Sequence, residues 1–153
     1  MHILKQLYKA RRGVAALEFA LLSVPLLLLV FGTIEFGRLL WTQQALEMTA
    51  IEAARCVGIL ASPCSSGGAF SSDNTTSYIQ SVASSWGITL TSANLASSSG
   101  GMVTRSSSDP NDTACAGLSE VKISYTFQTA VPGLLSMISG NTLVGQACFP
   151  NDS

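Results

Sequence analysis

The spacing of hydrophobic side chains changes at residue 34. Between Phe19 and Ile34 no residue is charged, and Leu, Val and Phe dominate. Adding Val14 to Leu17 extends the apolar run to roughly 20 residues, enough at about 1.5 Å per residue to cross a hydrocarbon core of about 30 Å. A single segment satisfies all its backbone groups in lipid only as a helix. Pro25 lies inside the run and removes one N–H, so a kink is expected there. From Ile34 to Leu60 the pattern becomes periodic: Phe36, Leu39, Leu40, Gln43, Leu46, Ala50, Ala53 and Val57 recur at three- and four-residue steps. That spacing makes one apolar stripe along a helix, which predicts a face turned to a core. With no turn signal between them, the two halves read as one helix from Val14 to Leu60, about 70 Å long if unbroken, with Gly32 and Gly37 as points where it can bend. Trp41 lies one or two turns past the apolar run, where an interfacial aromatic belt is expected. Glu35–Arg38 and Glu52–Arg55 stand at i,i+3, the spacing of surface pairs contributing about 0.2–0.5 kcal/mol each.

Downstream the elements shorten. Ser62 to Ser77 reads as a loop, broken by Pro63 and Gly67-Gly68. Asp73 or Asn74 can cap a second helix over Tyr78 to Gly87, where Ile79, Val82, Ala83 and Trp86 share a face and Gly87 suits the position after the helix end. Ile88-Thr89-Leu90 reads as the start of a strand. Ser92 to Thr113 is rich in Ser, Gly, Asn and Asp, with one edge strand expected at Met102-Val103. The clearest strand is Val121 to Phe127. Val121, Ile123, Tyr125 and Phe127 should cover the helix stripe, while Lys122, Ser124 and Thr126 should meet water. Val131-Pro132-Gly133 turns the chain, Leu134 to Ile138 reads as a short helix, and Thr142 to Phe149 as a last strand antiparallel to the previous one. The fold class is therefore α+β: a long N-terminal helix, transmembrane in its first half and amphipathic in its second, packed by a small antiparallel sheet. The divisions are 1–13 leader, 14–34 span, 35–60 amphipathic extension and 61–153 a small α+β domain.

Charge orients this arrangement. Lys5, Lys9, Arg11 and Arg12 precede the run with no acid before Glu18, whereas the flank beyond it is balanced. The positive-inside rule places residues 1–12 in the cytoplasm and the chain after Arg38 outside. The whole chain carries a formal net charge of −1. Without the leader, four Lys/Arg stand against nine acids, about −5 at neutral pH. No basic patch then remains outside the membrane, which argues against nucleic acid as a partner. An ordinary secretory signal is a poor fit, because the run is too long, contains an acid and is followed by no A-x-A-type site. An uncleaved signal-anchor fits the same residues.

Glu18 is the anomaly in the span, since an ionisable group there costs free energy and is usually functional. One reading is an interfacial side chain that snorkels. Another follows from a cut after Gly13: Val14 would carry a new ammonium, and Glu18 would lie one helical turn from it. Arg11-Arg12-Gly13 followed by Glu18-Phe19 resembles the processing site of type IV pilins and pseudopilins. The longer string Gly13-Val14-Ala15-Ala16-Leu17-Glu18-Phe19-Ala20, with Pro25, Glu35-Phe36-Gly37-Arg38 and Ala53-Ala54-Arg55, is similar to the TadE/TadG-like pilus assembly proteins of the tight-adherence (Flp) system. The resemblance covers residues 11–55. It implies cleavage by a prepilin peptidase between Gly13 and Val14, and a role in assembly for Glu18 and Phe19, with Glu18 pairing to the N-terminal amine of a neighbouring subunit. It also implies a pilin-like fold. The implied location is a bacterial inner membrane, with the domain periplasmic. Partners would be the peptidase, other pseudopilin-like or pilin subunits, and the Tad secretion platform.

Cys56, Cys64, Cys115 and Cys148 all fall outside the membrane on this topology. An even count in an exported domain with a thin core predicts two disulfides among three possible connectivities. Cys56–Cys64, tying the helix end to its loop, and Cys115–Cys148, flanking the strand pair, are the preferred pairs. At such loop lengths each bridge typically contributes about 2–4 kcal/mol. No C-x-x-C occurs, and the single histidine, His2, is in the leader, so neither metal nor cofactor is expected. Asp109, Asn111 and Asp112 lack the glycine and glutamate of a calcium loop and read as an ordinary turn. The Asn74 and Asn111 sequons read as coincidence in a bacterial protein. No serine has a histidine base within reach, and no Gly-rich stretch carries a phosphate-loop lysine, so the chain is not expected to be an enzyme. Two functions remain: a pseudopilin-like assembly subunit of a Tad pilus, or an uncleaved single-pass anchor displaying a binding module.

Overall fold

A computed structural model of the chain describes residues 2–106, 115–130 and 140–151. The first element, α1, runs His2–Gly58 and stays helical through Pro25, Gly32 and Gly37. Two short strands, β1 (Ser65–Ser66) and β2 (Ala69–Phe70), form a hairpin closed by Gly67 and Gly68, both at positive φ. A second helix, α2, spans Ser72–Ser85. Strands β3 (Met102–Thr104), β4 (Ser119–Thr126) and β5 (Thr142–Phe149) form an antiparallel sheet in that order. Its register pairs Val103 with Val121, and Val121 with Ala147. The fold is α+β, with the sheet and α2 laid on the second half of α1.

Small side chains set how closely these layers approach. Ala45, Leu46, Thr49, Ala50, Ala53, Ala54 and Val57 are buried on one face of α1. Four alanines in that set leave room for a strand to come within backbone contact. Gly145 of β5 uses the room: a Cβ on it would lie 2.5 Å from the Leu46 carbonyl. The buried Thr49 hydroxyl donates to the Ala45 carbonyl at 2.7 Å, so its burial leaves no donor unmatched. On the outer strand edge, the Gln43 amide donates to the Val144 carbonyl at 3.0 Å. The expected stripe divides here. Leu46, Ala50, Ala53 and Val57 are buried, but Phe36 and Leu40 are more than half exposed, because they sit on the opposite side of the helix from Ala45 and Leu46.

The helix ends where a reversed backbone turn closes it. Ala61 N–H donates to the Cys56 carbonyl at 3.0 Å and Leu60 N–H to Val57 at 3.2 Å, with Leu60 at φ 50°. This is the Schellman arrangement, with leucine where glycine is usual. The Cys56–Cys64 disulfide spans the same turn, and Cys64 is fully buried.

α2 begins six residues earlier than expected. Ser71 is its N-cap, accepting from Asn74 N–H, and Thr75, Ile79 and Ala83 form its buried face. The first turn looks loop-like in sequence because its hydroxyls are polar; Thr75 donates back to the Ser71 carbonyl at 2.7 Å and is fully buried. Gly87 at φ 78° ends the helix, with Ile88 N–H bonded to the Ala83 carbonyl. Ile88 and Leu90 are buried around an exposed Thr89 but belong to no strand. Their alternation comes from insertion into the core beside α2 rather than from ladder pairing.

The sheet's second face differs from the expected solvent face. Val121 and Ile123 are buried toward α1 as the alternation requires, yet Glu120 and Ser124 are buried too. Asn94, in the turn after Leu90, donates to the Ser124 carbonyl at 2.8 Å, and Gln146 donates to Glu120 at 2.9 Å. The Val131-Pro132-Gly133 turn, the Leu134–Ile138 helix and the acids Asp109 and Asp112 lie outside the described residues.

The crossing of β5 over α1 makes a specific prediction. Gly145→Ala forces the strand off Leu46 and should destabilise the domain by about 1–3 kcal/mol, as overpacking does. Gly37→Ala, whose added Cβ meets nothing within 4 Å, should be neutral or stabilise the helix by up to about 1 kcal/mol. Near-UV circular dichroism melts of the detergent-solubilised full chain distinguish them; equal melting of both variants contradicts the packing described.

Candidate functional site

Two regions carry chemistry that the domain core does not use. The first is the free half of α1. In the 18-residue apolar window of this helix mean hydropathy is 2.5 and no residue is buried. Its two hydroxyls turn inward: Ser23 donates to the Ala20 carbonyl at 3.0 Å and Thr33 to Val30 at 2.9 Å. Such back-bonding satisfies both hydroxyls within the helix, which is what a hydrocarbon solvent requires. Val14 and Phe19 are exposed, and Phe19 is 74% accessible. Glu18 is also exposed and has no ion-pair partner among the described residues. Val14 and Glu18 stand at i,i+4 and so share a face, one turn apart. A Cβ on Gly13 would meet nothing within 4 Å. Glycine in a helix interior costs about 1 kcal/mol relative to alanine. Nothing among the described residues calls for one here.

The second region is the junction where the free half of α1 meets the domain. Glu35, directly after the apolar run, is only 4% exposed. Its Oε1 accepts from Arg38 Nη1 at 2.7 Å, and the guanidinium lies 5.6 Å from the centre of the Phe127 ring. Oε2 is buried without a hydrogen bond of ordinary geometry among the described residues. Burial is the strongest influence on this carboxyl and raises its pKa. The hydrogen bond and charge of Arg38, with the nearby Thr129 hydroxyl and Ala130 amide, outweigh it and hold the pKa below the ordinary glutamate value. Trp41 and Trp86 meet edge to face at 5.8 Å and 61°, and the Trp41 indole N–H reaches the Trp86 carbonyl at 3.4 Å. Sequence reasoning treated Glu35–Arg38 as a surface pair. The missed signal is phase: stepping back from Leu46 through Thr42 and Leu39 reaches Glu35, at the start of the buried face.

The remaining sites are spread out. Cys56 is bonded to Cys64, with Cα atoms 5.9 Å apart, and Cys115 to Cys148 at 5.4 Å. The first bridge ties the end of α1 to the following turn. The second sits on the sheet's far face, where Cys148 lies opposite Glu120. Both are distant in sequence from Gly13 and Glu18. Among the described residues no group of three metal-ligating side chains comes together.

The arrangement defines a small disulfide-bonded α+β domain carried on an apolar helix long enough to cross a membrane. The family model described as TadE-like protein matches residues 13–55, and over that segment the chain is similar to that family. The match begins at Gly13 and includes Glu18 and the Glu35–Arg38 pair; the sheet and α2 lie beyond it. No curated protein and no solved structure matches the chain.

The buried pair sets a pH dependence. A carboxyl whose folded pKa is depressed contributes stability above its unfolded value of about 4.3, and that contribution is lost as pH falls through the lower folded value. Wild-type stability should therefore fall on acidification below the ordinary glutamate range. Glu35→Gln should flatten that part of the curve and lower stability at neutral pH. Denaturant midpoints of both proteins between pH 3 and 7 check this; parallel curves contradict it.

Proposed function

We propose that this chain is a pseudopilin-like structural subunit of a Tad (Flp, type IVb) pilus system. In this reading it inserts with its N-terminus in the cytoplasm and is cut after Gly13 by a prepilin peptidase. It then assembles through the free half of α1. Its role is structural and not enzymatic. The observation that carries the reading is Glu18, exposed and without an ion-pair partner among the described residues, on a helix half that the domain leaves uncovered. The TadE-like match over residues 13–55 supports the same assignment.

The physical argument runs through charge in a low dielectric. An unpaired acid at the centre of a membrane helix costs about 2.5–3.5 kcal/mol on insertion scales, and less toward the interface. Cleavage after Gly13 creates an ammonium on Val14 in the same low-dielectric zone. Pairing that amine with Glu18 of a neighbour offsets both desolvation costs, and losing the carboxylate leaves the amine alone. The Gly13 position supports the cut for a separate reason. Its missing side chain serves no contact among the described residues, but a bare backbone can enter a peptidase cleft. The partners in this reading are the peptidase, neighbouring pseudopilin-like or pilin subunits, and the Tad platform.

Glu18→Leu should insert more easily than wild type, be processed and accumulate, yet lose crosslinks to its partner subunits and fail to support pili. Glu18→Asp should fall between the two, because its side chain is shorter. Crosslinking and pilus display at matched protein level provide the readout. Normal crosslinks and pili with Glu18→Leu would reduce Glu18 to a snorkelling interface residue.

A further inference from the structure

The junction between span and domain holds a cleft of about 460 Å³ whose lining includes Ile34, Arg38, Trp41, Trp86, Tyr125 and Phe127. Ile34 is the last residue of the apolar run, so the cleft opens beside the end of the span. Arg38 lies four residues further, about 6 Å along the axis at 1.5 Å per residue. The polar layer of a bilayer is about 5–8 Å thick on each side of the hydrocarbon. The guanidinium is thereby set at the depth of lipid phosphates, with Trp41 just above it.

We propose that this cleft binds the headgroup of one membrane phospholipid of the zwitterionic ammonium-phosphate class, phosphatidylethanolamine being the simplest. Arg38 is half exposed and gives one nitrogen to Glu35, which leaves further donors of its fork for a phosphate. Phe127 and Glu35 fix the plane of the guanidinium, so little rotamer freedom is lost on binding. Because Glu35 neutralises Arg38, the cleft has no surplus positive charge among these residues to favour a net anionic lipid. Trp41, Trp86 and Tyr125 also line the cleft, and an alkylammonium is attracted to aromatic rings. The acyl chains would run down the exposed apolar surface that continues below Ile34. Binding there would fix the height of the domain above the bilayer and the rotation of α1 about its axis.

The chain has two tryptophans, and both line the cleft, so its intrinsic fluorescence reports the site directly. The full chain in detergent is titrated with dihexanoyl phosphatidylethanolamine, dihexanoyl phosphatidylglycerol and inorganic phosphate. A saturable shift is expected with the ethanolamine lipid, at least several-fold weaker with the glycerol lipid, and absent with inorganic phosphate. Arg38→Gln should weaken binding tenfold or more. That change also strips Glu35 of its counter-ion, so Arg38→Lys is the second variant. It keeps the charge but removes the fork and should weaken binding at least several-fold. An unsaturable titration, an equal or larger response to phosphatidylglycerol or inorganic phosphate, or unchanged affinity in Arg38→Lys overturns the proposal. The inference rests on reading residues 14–34 as a membrane span. Failure of that reading would appear separately, as a full chain that does not partition into vesicles.

Discussion

The backbone of β5 rests on the backbone of α1 at Gly145 and Leu46, and the rest of the domain follows from that contact. A helix carrying Ala45, Ala50, Ala53 and Ala54 on its inner face offers little apolar area per residue, so its stabilisation depends on close approach rather than on large side chains. The strand can approach only because residue 145 has no Cβ. With β5 seated, β4 follows by pairing, which places Val121 and Ile123 over the helix, and α2 fills the remaining side with Ile79 and Ala83. The two disulfides reinforce the places this thin core leaves weak: the end of α1 and the far face of the sheet.

The same helix therefore has two unlike halves. From Ala45 onward one face is core, and the opposite side, with Met48 and Ile51, is exposed. From Gly13 to Thr33 no residue of the helix is buried. Glu35 and Arg38 mark the change. A buried carboxylate at the edge of an apolar span is tolerated because Arg38 pairs with it and the Phe127–Ala130 segment covers it. Breaking one partner of such a pair is far more costly than the pair is stabilising. The junction thus acts as a fixed collar between the part of the chain that folds on itself and the apolar half that the domain leaves uncovered.

Much of this was legible from residue order, and for identifiable reasons. The apolar run depends only on composition and length, so Val14 to Ile34 was readable without knowing the fold. Strands β4 and β5 showed because alternation is a local signal. The start of α2 did not show, because Thr75 is a core residue with a polar side chain, and its hydroxyl is satisfied by a carbonyl that exists only once the helix has formed. Glu35 and Glu120 were hidden for a related reason: charged residues read as surface unless their partners, Arg38 and Gln146, are placed. Ile88 and Leu90 alternate like a strand, but whether a partner strand lies beside them is a tertiary fact. Gly13 and Glu18 stand out by motif spacing alone; the fold adds that neither packs against the described residues of the domain.

The central claim proposed above is that the residues before Val14 are removed and that the uncovered half of α1 then serves assembly. Intact mass of the full chain extracted from native membranes tests this most directly. The account predicts a mature chain beginning at Val14, four hydrogens lighter than its reduced form because both cysteine pairs are oxidised. A mass that retains the sequence from Met1 would contradict it, and would leave the helix as a permanent anchor for the domain.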